Sequence, residues 1–171
     1  MLEAFTHITC FVLDVDGVLT DGTLLVLPSG VMVRRMHIRD GYAMQLAIKQ
    51  GYRVVVISGG DSPEVAERLH KLGVTEVWMQ ISDKKALLQK ILSDTGLDPA
   101  AVLYMGDDIP DLAAMQLSGL PCCPADAATE IREIARYISP CQGGAGCVRD
   151  VIEKVLKLRG HWQDDGHIRS R

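Results

Sequence analysis

Residues 14 to 22 read DVDGVLTDG, three aspartates and two glycines directly after the apolar run ITCFVL. A carboxylate at the end of a buried strand, Asp14, can attack phosphorus as a nucleophile and become an aspartyl-phosphate. A second carboxylate two residues on, Asp16, can protonate the leaving alcohol and then deprotonate water. Matching groups follow in three further segments: Ser58-Gly59 after RVVVI, Lys84 in DKK, and Asp107, Asp108 and Asp111 in GDDIPD. Five carboxylates in one crevice repel, since two charges ~4 Å apart cost about 4 kcal/mol at an effective dielectric near 20. One lysine does not offset them. A hard divalent cation does, and all-oxygen ligands with open positions for water favour magnesium, Mg2+, over zinc.

On this reading the Ser58 hydroxyl and the Gly59 N–H hold phosphoryl oxygens, and Lys84 neutralises the charge that Asp14 and phosphate share. Asp107 completes the metal shell, while Asp108 and Asp111 orient metal-bound water or Lys84. A calcium loop fits poorly, because Val18 takes its fifth position and a strand precedes it. Each segment also has an ordinary role: a turn at DVDG, a turn at Ser58-Gly59-Gly60, a solvated Lys84, and an Asp108 cap ahead of Pro110. What favours the chemical reading is that four separate turns carry the right groups in order.

The elements that must position these groups alternate between strand and helix. The first strand covers about Ile8 to Leu13, and TLLVLPSGVMVRRM reads as a hairpin around Pro28-Ser29-Gly30. A helix through Ala43, Leu46 and Ala47 closes at Gly51, and RVVVI has the unbroken β-branched character of a central parallel strand. Ser62-Pro63 starts a helix that ends near Leu72. VTEVWM, DKKALLQKILSD, VLYMG and PDLAAMQL continue the alternation. A weaker strand near Leu120, a helix from about Ala127 to Ala135, a short RYI strand and the helix CVRDVIEKVLKL complete it. The pattern predicts an α/β fold, a doubly wound Rossmann-like three-layer sandwich with a parallel sheet, a β-hairpin insertion after strand 1 and no cap domain. Its ligand belongs beyond the carboxyl ends of the strands, where every group above falls. One domain is expected over residues 1–158, with 159–171 a mobile tail.

Composition narrows the partners. At 47% hydrophobic and 23% charged residues the chain of 171 residues is globular, and a net charge of −4 gives no surface for a phosphate backbone, so nucleic acid is not expected. No apolar stretch reaches the roughly 20 residues of a membrane span, and the N-terminus lacks a basic leader, which points to the cytoplasm and no membrane partner. Five cysteines without a CxxC read as small hydrophobes or free thiols, with Cys141 and Cys147 the only pair worth checking.

The segments DVDGVLTDG, ISGG, DKK and GDDIPD, in this order, resemble the haloacid dehalogenase superfamily of magnesium-dependent phosphatases over nearly the whole chain. The hairpin followed by HIRDGYAM, and the late CQGGAGCVRD, are similar to the 3-deoxy-D-manno-octulosonate 8-phosphate phosphatases and relatives acting on nonulosonate 9-phosphates. The resemblance implies Asp14 as nucleophile, Asp16 as acid/base and main-chain metal ligand, Ser58 and Lys84 at the phosphate, and Asp107 as a further ligand. It implies a phosphorylated sugar acid as substrate, a place in lipopolysaccharide synthesis, and a homotetramer whose neighbouring subunits cover the site. The sequence agrees that only a hairpin lies between Asp21 and the next helix, too little for a lid. The hairpin residues Leu24, Val26, Val31 and Val33 are apolar enough to meet another chain, and Gly143, Gly144 and Gly146 would let the C-terminal segment swing over the site.

Two positions depart from that pattern: Gly60 and Ala145 stand where arginines are common, which removes two cations for a substrate carboxylate. Arg39, Arg68, Lys71 and Arg149 are the candidates to compensate, Arg39 first. Two other functions compete. A phospho-accepting receiver shares the sheet, acids and lysine, but its acceptor sits on the third strand; an idle binding subunit would have no need of every charged motif residue.

Overall fold

The computed structural model describes residues 2–162. A short helix α1 (Leu2–Thr6), not anticipated from the pattern, leads into β1 (Cys10–Leu13). The chain then makes one wide helical turn over Val15–Leu19 before the hairpin strands β2 (Leu25–Val26) and β3 (Met32–Val33). The hairpin is real but its ladder is short, two residues per strand. Helix α2 (Ile38–Lys49) precedes β4 (Arg53–Ile57), and α3 (Pro63–Lys71) starts at its proline and stops where Gly73 turns back at φ +91°. There follow β5 (Glu76–Trp78), α4 (Lys84–Thr95), β6 (Val102–Met105) and α5 (Ile109–Met115). The chain then forms β7 (Leu120–Cys123), α6 (Thr129–Ile134), β8 (Tyr137–Ile138) and α7 (Cys147–Leu158).

Six strands form one parallel sheet in the order β5-β4-β1-β6-β7-β8. The first of them, β1, thus lies between β4 and β6, and the chain winds outward from it in both directions, the doubly wound arrangement. Alternate strand residues face opposite layers. Phe11 and Leu13 pack with α1, α2, α3 and α7, whereas Cys10 and Val12 pack with α4, α5 and α6. Both faces are therefore covered, which is why β1, β6 and β7 are buried along their whole length. No helix among the described residues is long and apolar enough to cross a membrane. All five cysteines are free thiols, Cys141 and Cys147 included.

The two segments singled out by the narrower resemblance meet in space. Asp40, at the start of α2, is buried and accepts the N–H of Arg149 on α7 at 2.7 Å. Burial pushes its carboxyl up to about 6, opposed by that N–H and by His37. The late glycine run is not a swinging arm. Gly144 N–H donates to the Val18 carbonyl at 3.0 Å, and a Cβ on Gly143 would lie 2.0 Å from the Gly17 carbonyl oxygen. These glycines allow two backbones to touch, which fixes the loop against the turn after β1. Nor does the chain become loose at residue 159. Arg159 donates to the Ile8 carbonyl at 2.6 Å, His161 Nδ1 lies 2.8 Å from the Tyr52 hydroxyl, and Trp162 sits edge-on to Tyr42. Residues 163–171 of the expected tail lie outside the described residues.

Gly143→Ala is expected to destabilise the fold by about 1–3 kcal/mol, because neither backbone has room to retreat. Chemical denaturation checks this: the midpoint should fall with an unchanged slope.

Candidate active site

β1 leads directly into Asp14, which the sheet seals. Its N–H donates to the Met105 carbonyl of β6, and only 6% of the residue is exposed. The Val15 N–H and the Lys84 ammonium both reach its Oδ1, at 2.7 and 2.8 Å. Both contacts fall on one oxygen, so Oδ2 is the oxygen left for chemistry. Lys84 opens α4 behind the Asp83 cap, whose side chain accepts the Ala86 N–H at 2.9 Å. It is 4% exposed and binds Asp111 Oδ1 at 2.8 Å as well as Asp14. It is not a solvated lysine.

Asp111 is fully buried on α5. Its Oδ1 also accepts the Tyr104 hydroxyl at 2.8 Å, and its Oδ2 the Asp107 N–H at 3.3 Å. Both of its oxygens are thus engaged, which suits it to orient Lys84. Asp108 is exposed and caps α5, its Oδ1 accepting the Ile109 N–H at 2.8 Å. Its cap role and its place on the rim of the crevice coexist, and Pro110 takes the second helical position of α5.

Asp107 lies across the crevice from Asp14, in van der Waals contact with the turn after β1. A Cβ on Gly17 would stand 1.9 Å from Asp107 Oδ2, and Gly17 itself has φ +87°. One oxygen of Asp14, Asp107 and Asp111 can be chosen so that all three lie within 4.8 Å. Asp107 Oδ1 is buried with no hydrogen-bond partner. Burial, then Asp111 and Asp108, push the Asp107 carboxyl up to about 7 against the pull of Lys84. Burial and Asp111 likewise raise Asp14, with Lys84 opposing. Burial disfavours the charged form of Lys84, but Asp14 and Asp111 outweigh it and hold the ammonium above its usual range. One lysine leaves the acids under-neutralised, and an orphaned oxygen in an all-oxygen cluster fits a hard cation.

The opposite wall comes from β4. Ser58 is 2% exposed, and its Oγ accepts the Gly60 N–H at 3.1 Å. The Ile81 and Gln80 N–H groups bind the Ser58 and Gly60 carbonyls at 2.9 and 3.1 Å, tying this turn to the loop before α4. Asp14, Asp16, Ser58, Gly59, Lys84, Asp107, Asp108 and Asp111 all line one crevice of about 280 Å³.

Two features differ from the sequence expectation. Arg39 does not reach the crevice; it lines a separate cavity of about 320 Å³ with Ala145 and Arg149. Its place on the first turn of α2 points it away from the strand ends. Lys71 pairs with Glu67 on the surface, and Arg68 lines an apolar cavity of about 480 Å³ between the hairpin and α3. The side chain of Asp16, expected at the metal through its main chain only, lies outside the three-carboxylate cluster and meets Arg34, Nε to Oδ1 at 2.7 Å and Nη2 to Oδ2 at 3.2 Å. Sequence reasoning missed Arg34, because an Arg-Arg pair at a hairpin edge looks like solvated charge. It also passed over Tyr104, whose hydroxyl in a fully buried strand could have been read as needing a partner.

The profile of the haloacid dehalogenase-like hydrolases matches residues 73–151. The 3-deoxy-D-manno-octulosonate 8-phosphate phosphatase of Escherichia coli K12 is 32% identical over 154 residues, 90% of this chain and 82% of that protein. Among solved structures, the enzyme of the same name from Moraxella catarrhalis, in complex with magnesium, phosphate and KDO, has a TM-score of 0.88 at 30% identity, covering 91% of this chain and 90% of that one. The cobalt-bound phosphatase from Haemophilus influenzae gives 0.87 at 29% identity, covering 92% of each chain. With such identity along nearly its full length, and with its acids gathered at the carboxyl ends of β1 and β6, the chain belongs to the haloacid dehalogenase-like hydrolases.

Proposed function

We propose that the protein is a magnesium-dependent phosphomonoesterase acting on a keto-deoxy sugar acid phosphate, 3-deoxy-D-manno-octulosonate 8-phosphate or a nonulosonate 9-phosphate. The observation that carries the reading is Asp14 paired with buried Lys84 beside the unpartnered oxygen of Asp107. The names of its relatives support the substrate class. The carboxylates of Asp14 and Asp107 and the main-chain carbonyl of Asp16 would hold the metal. Bound magnesium supplies positive charge that offsets the acids and the phosphoryl oxygens.

Asp14 Oδ2 attacks phosphorus in line, forming the aspartyl-phosphate as the bond to the substrate oxygen breaks. Asp16 gives its proton to the departing alcohol oxygen. It then takes a proton from water, whose oxygen attacks phosphorus and releases inorganic phosphate from Asp14. Ser58 and the Gly59 N–H receive phosphoryl oxygens, and Lys84 balances charge at Asp14. Among the described residues no lid covers this crevice. The exposed hairpin residues Leu25 and Val26, 64% and 65% accessible, support a homotetramer in which a neighbouring subunit supplies the cover.

In a phosphate-release panel of sugar acid phosphates, Asp14→Asn should lose activity by roughly 10⁴-fold or more while still folding by circular dichroism, and Asp16→Asn, given p-nitrophenyl phosphate, whose leaving group needs no proton, should accumulate phosphoenzyme visible by intact mass. Turnover by Asp14→Asn at the wild-type rate would contradict the nucleophile. Magnesium should raise the wild-type melting temperature, by the equivalent of about 2.7 kcal/mol at 100 times its Kd. The sign for Asp107 follows from its raised carboxyl: ionised above about pH 7, it opposes folding without a cation. At pH 8, Asp107→Asn should therefore melt higher without metal and lose the magnesium shift. Finally, Leu25→Asp should shift light-scattering mass toward smaller species and lower activity together.

A further inference from the structure

We infer that Arg34 is a positioning residue for the proton transfers of Asp16, an inference that rests on the roles proposed above for Asp14 and Asp16. Arg34 leaves the hairpin just after β3, beside the bridge that pairs Met36 with Thr20, so its backbone is fastened to the chain that carries Asp16. Its guanidinium grips both oxygens of Asp16 side-on. Such a fork fixes the plane of a carboxylate as well as its place, which a point charge does not. An ionised carboxylate has about four acceptor sites, so two N–H contacts leave room for proton exchange on the outward side.

Two comparisons set this pair apart from ordinary surface charge. Arg35, the next residue, also binds an aspartate, Asp21 at 2.7 Å, yet its side chain is 84% exposed. The Arg34 side chain is 5% exposed while that of Asp16 is 38%, so the cation is enclosed and the acid faces the crevice. Enclosure also decides between two uses for the guanidinium. With its Nε and Nη2 committed to Asp16 and almost none of it accessible, it serves the acid and not an incoming ligand.

The second observation is Gly60. Its φ lies outside the left-handed region, so the backbone does not demand glycine there. Space is tight instead: a Cβ would stand 3.0 Å from Asp16 Oδ2 and 3.2 Å from Arg34 Nη2, so a side chain there would press on the ion pair. The place that a side chain after Ser58-Gly59 would take is filled from the hairpin by the Arg34–Asp16 pair. The glycine and the arginine thus belong to one arrangement, and disturbing either should move the same carboxylate.

The test compares kcat/KM on an alkyl phosphate, a sugar acid phosphate, with that on p-nitrophenyl phosphate. The alkyl leaving group needs a proton as it departs and the aryl one does not. Arg34→Met keeps the apolar stem of the side chain, and Gly60→Ala leaves Arg34 itself intact. Both should lower kcat/KM on the alkyl ester by about 10- to 100-fold while changing the aryl ester by less than about threefold. Arg34→Lys should fall between wild type and Arg34→Met, and Asp16→Asn should show the same selectivity more strongly. Equal losses on both esters, or none, from two folded variants would assign Arg34 to anchoring the hairpin and overturn the inference alone. Wild type inactive on every ester would overturn the phosphatase reading and this inference with it.

Discussion

The Lys84 ammonium, held between Asp14 and Asp111 out of contact with water, is the interaction around which the site is organised. Bringing three charged groups into the interior is costly, and removing one partner of such a set typically costs 3–5 kcal/mol because an unpaired charge is left buried. The arrangement is tolerable because every polar atom on Asp111 is used, by Lys84, by the Tyr104 hydroxyl and by the Asp107 N–H. Four elements, β1, α4, β6 and α5, are thereby locked to one another through side chains. The same lock keeps Asp14 Oδ1 occupied and leaves the other oxygen for an incoming phosphorus.

Close approach is the second constraint. Asp107 lies over Gly17, and a Cβ on Gly106 would stand 2.4 Å from the Cβ of Asp111. Each acid needs a missing side chain opposite it in order to enter the crevice. The glycines of DVDG and GDDIPD are as much part of the site as the aspartates, since they set how near the two acidic turns can come. The repulsion this creates is expressed in the raised carboxyls of Asp14 and Asp107, and a divalent cation is the natural counterweight.

The alternation of strands and helices was legible in the sequence because parallel strands buried on both faces must be continuously apolar, as CFVL, RVVVI and VLYM are. The acids and Lys84 were legible for a related reason: a charge placed directly after such a strand has only one end of the sheet to occupy. What was not legible depends on contacts between distant segments. Nothing local to Arg34 distinguishes it from Arg35; their difference arises because one side chain turns under the hairpin and the other away from it. Gly143 and Gly144 suggest mobility when read alone, and only the packing of their loop on the turn after β1 reveals that they serve proximity. Arg39 was a candidate only as a cation to replace the arginines missing at Gly60 and Ala145, yet it lines a cavity with Ala145 and Arg149, apart from the acidic crevice.

Three walls of the crevice are rigid: the turn after β1, the Ser58–Gly60 turn tied to the loop before α4, and the capped start of α5. Beside the crevice, though not lining it, stands the hairpin, whose ladder spans only two residues per strand and whose apolar side chains are exposed. A hairpin of that size has little stability of its own and takes its geometry from what it touches. It touches Asp16 through Arg34, and it offers Leu25 and Val26 to a neighbour. On the proposed roles, the acid that moves protons is therefore coupled to the one neighbouring element that a second subunit would brace, whereas the nucleophile is coupled to the core. On those roles, assembly and proton transfer would share a mechanical element, and the attack on phosphorus would not depend on it.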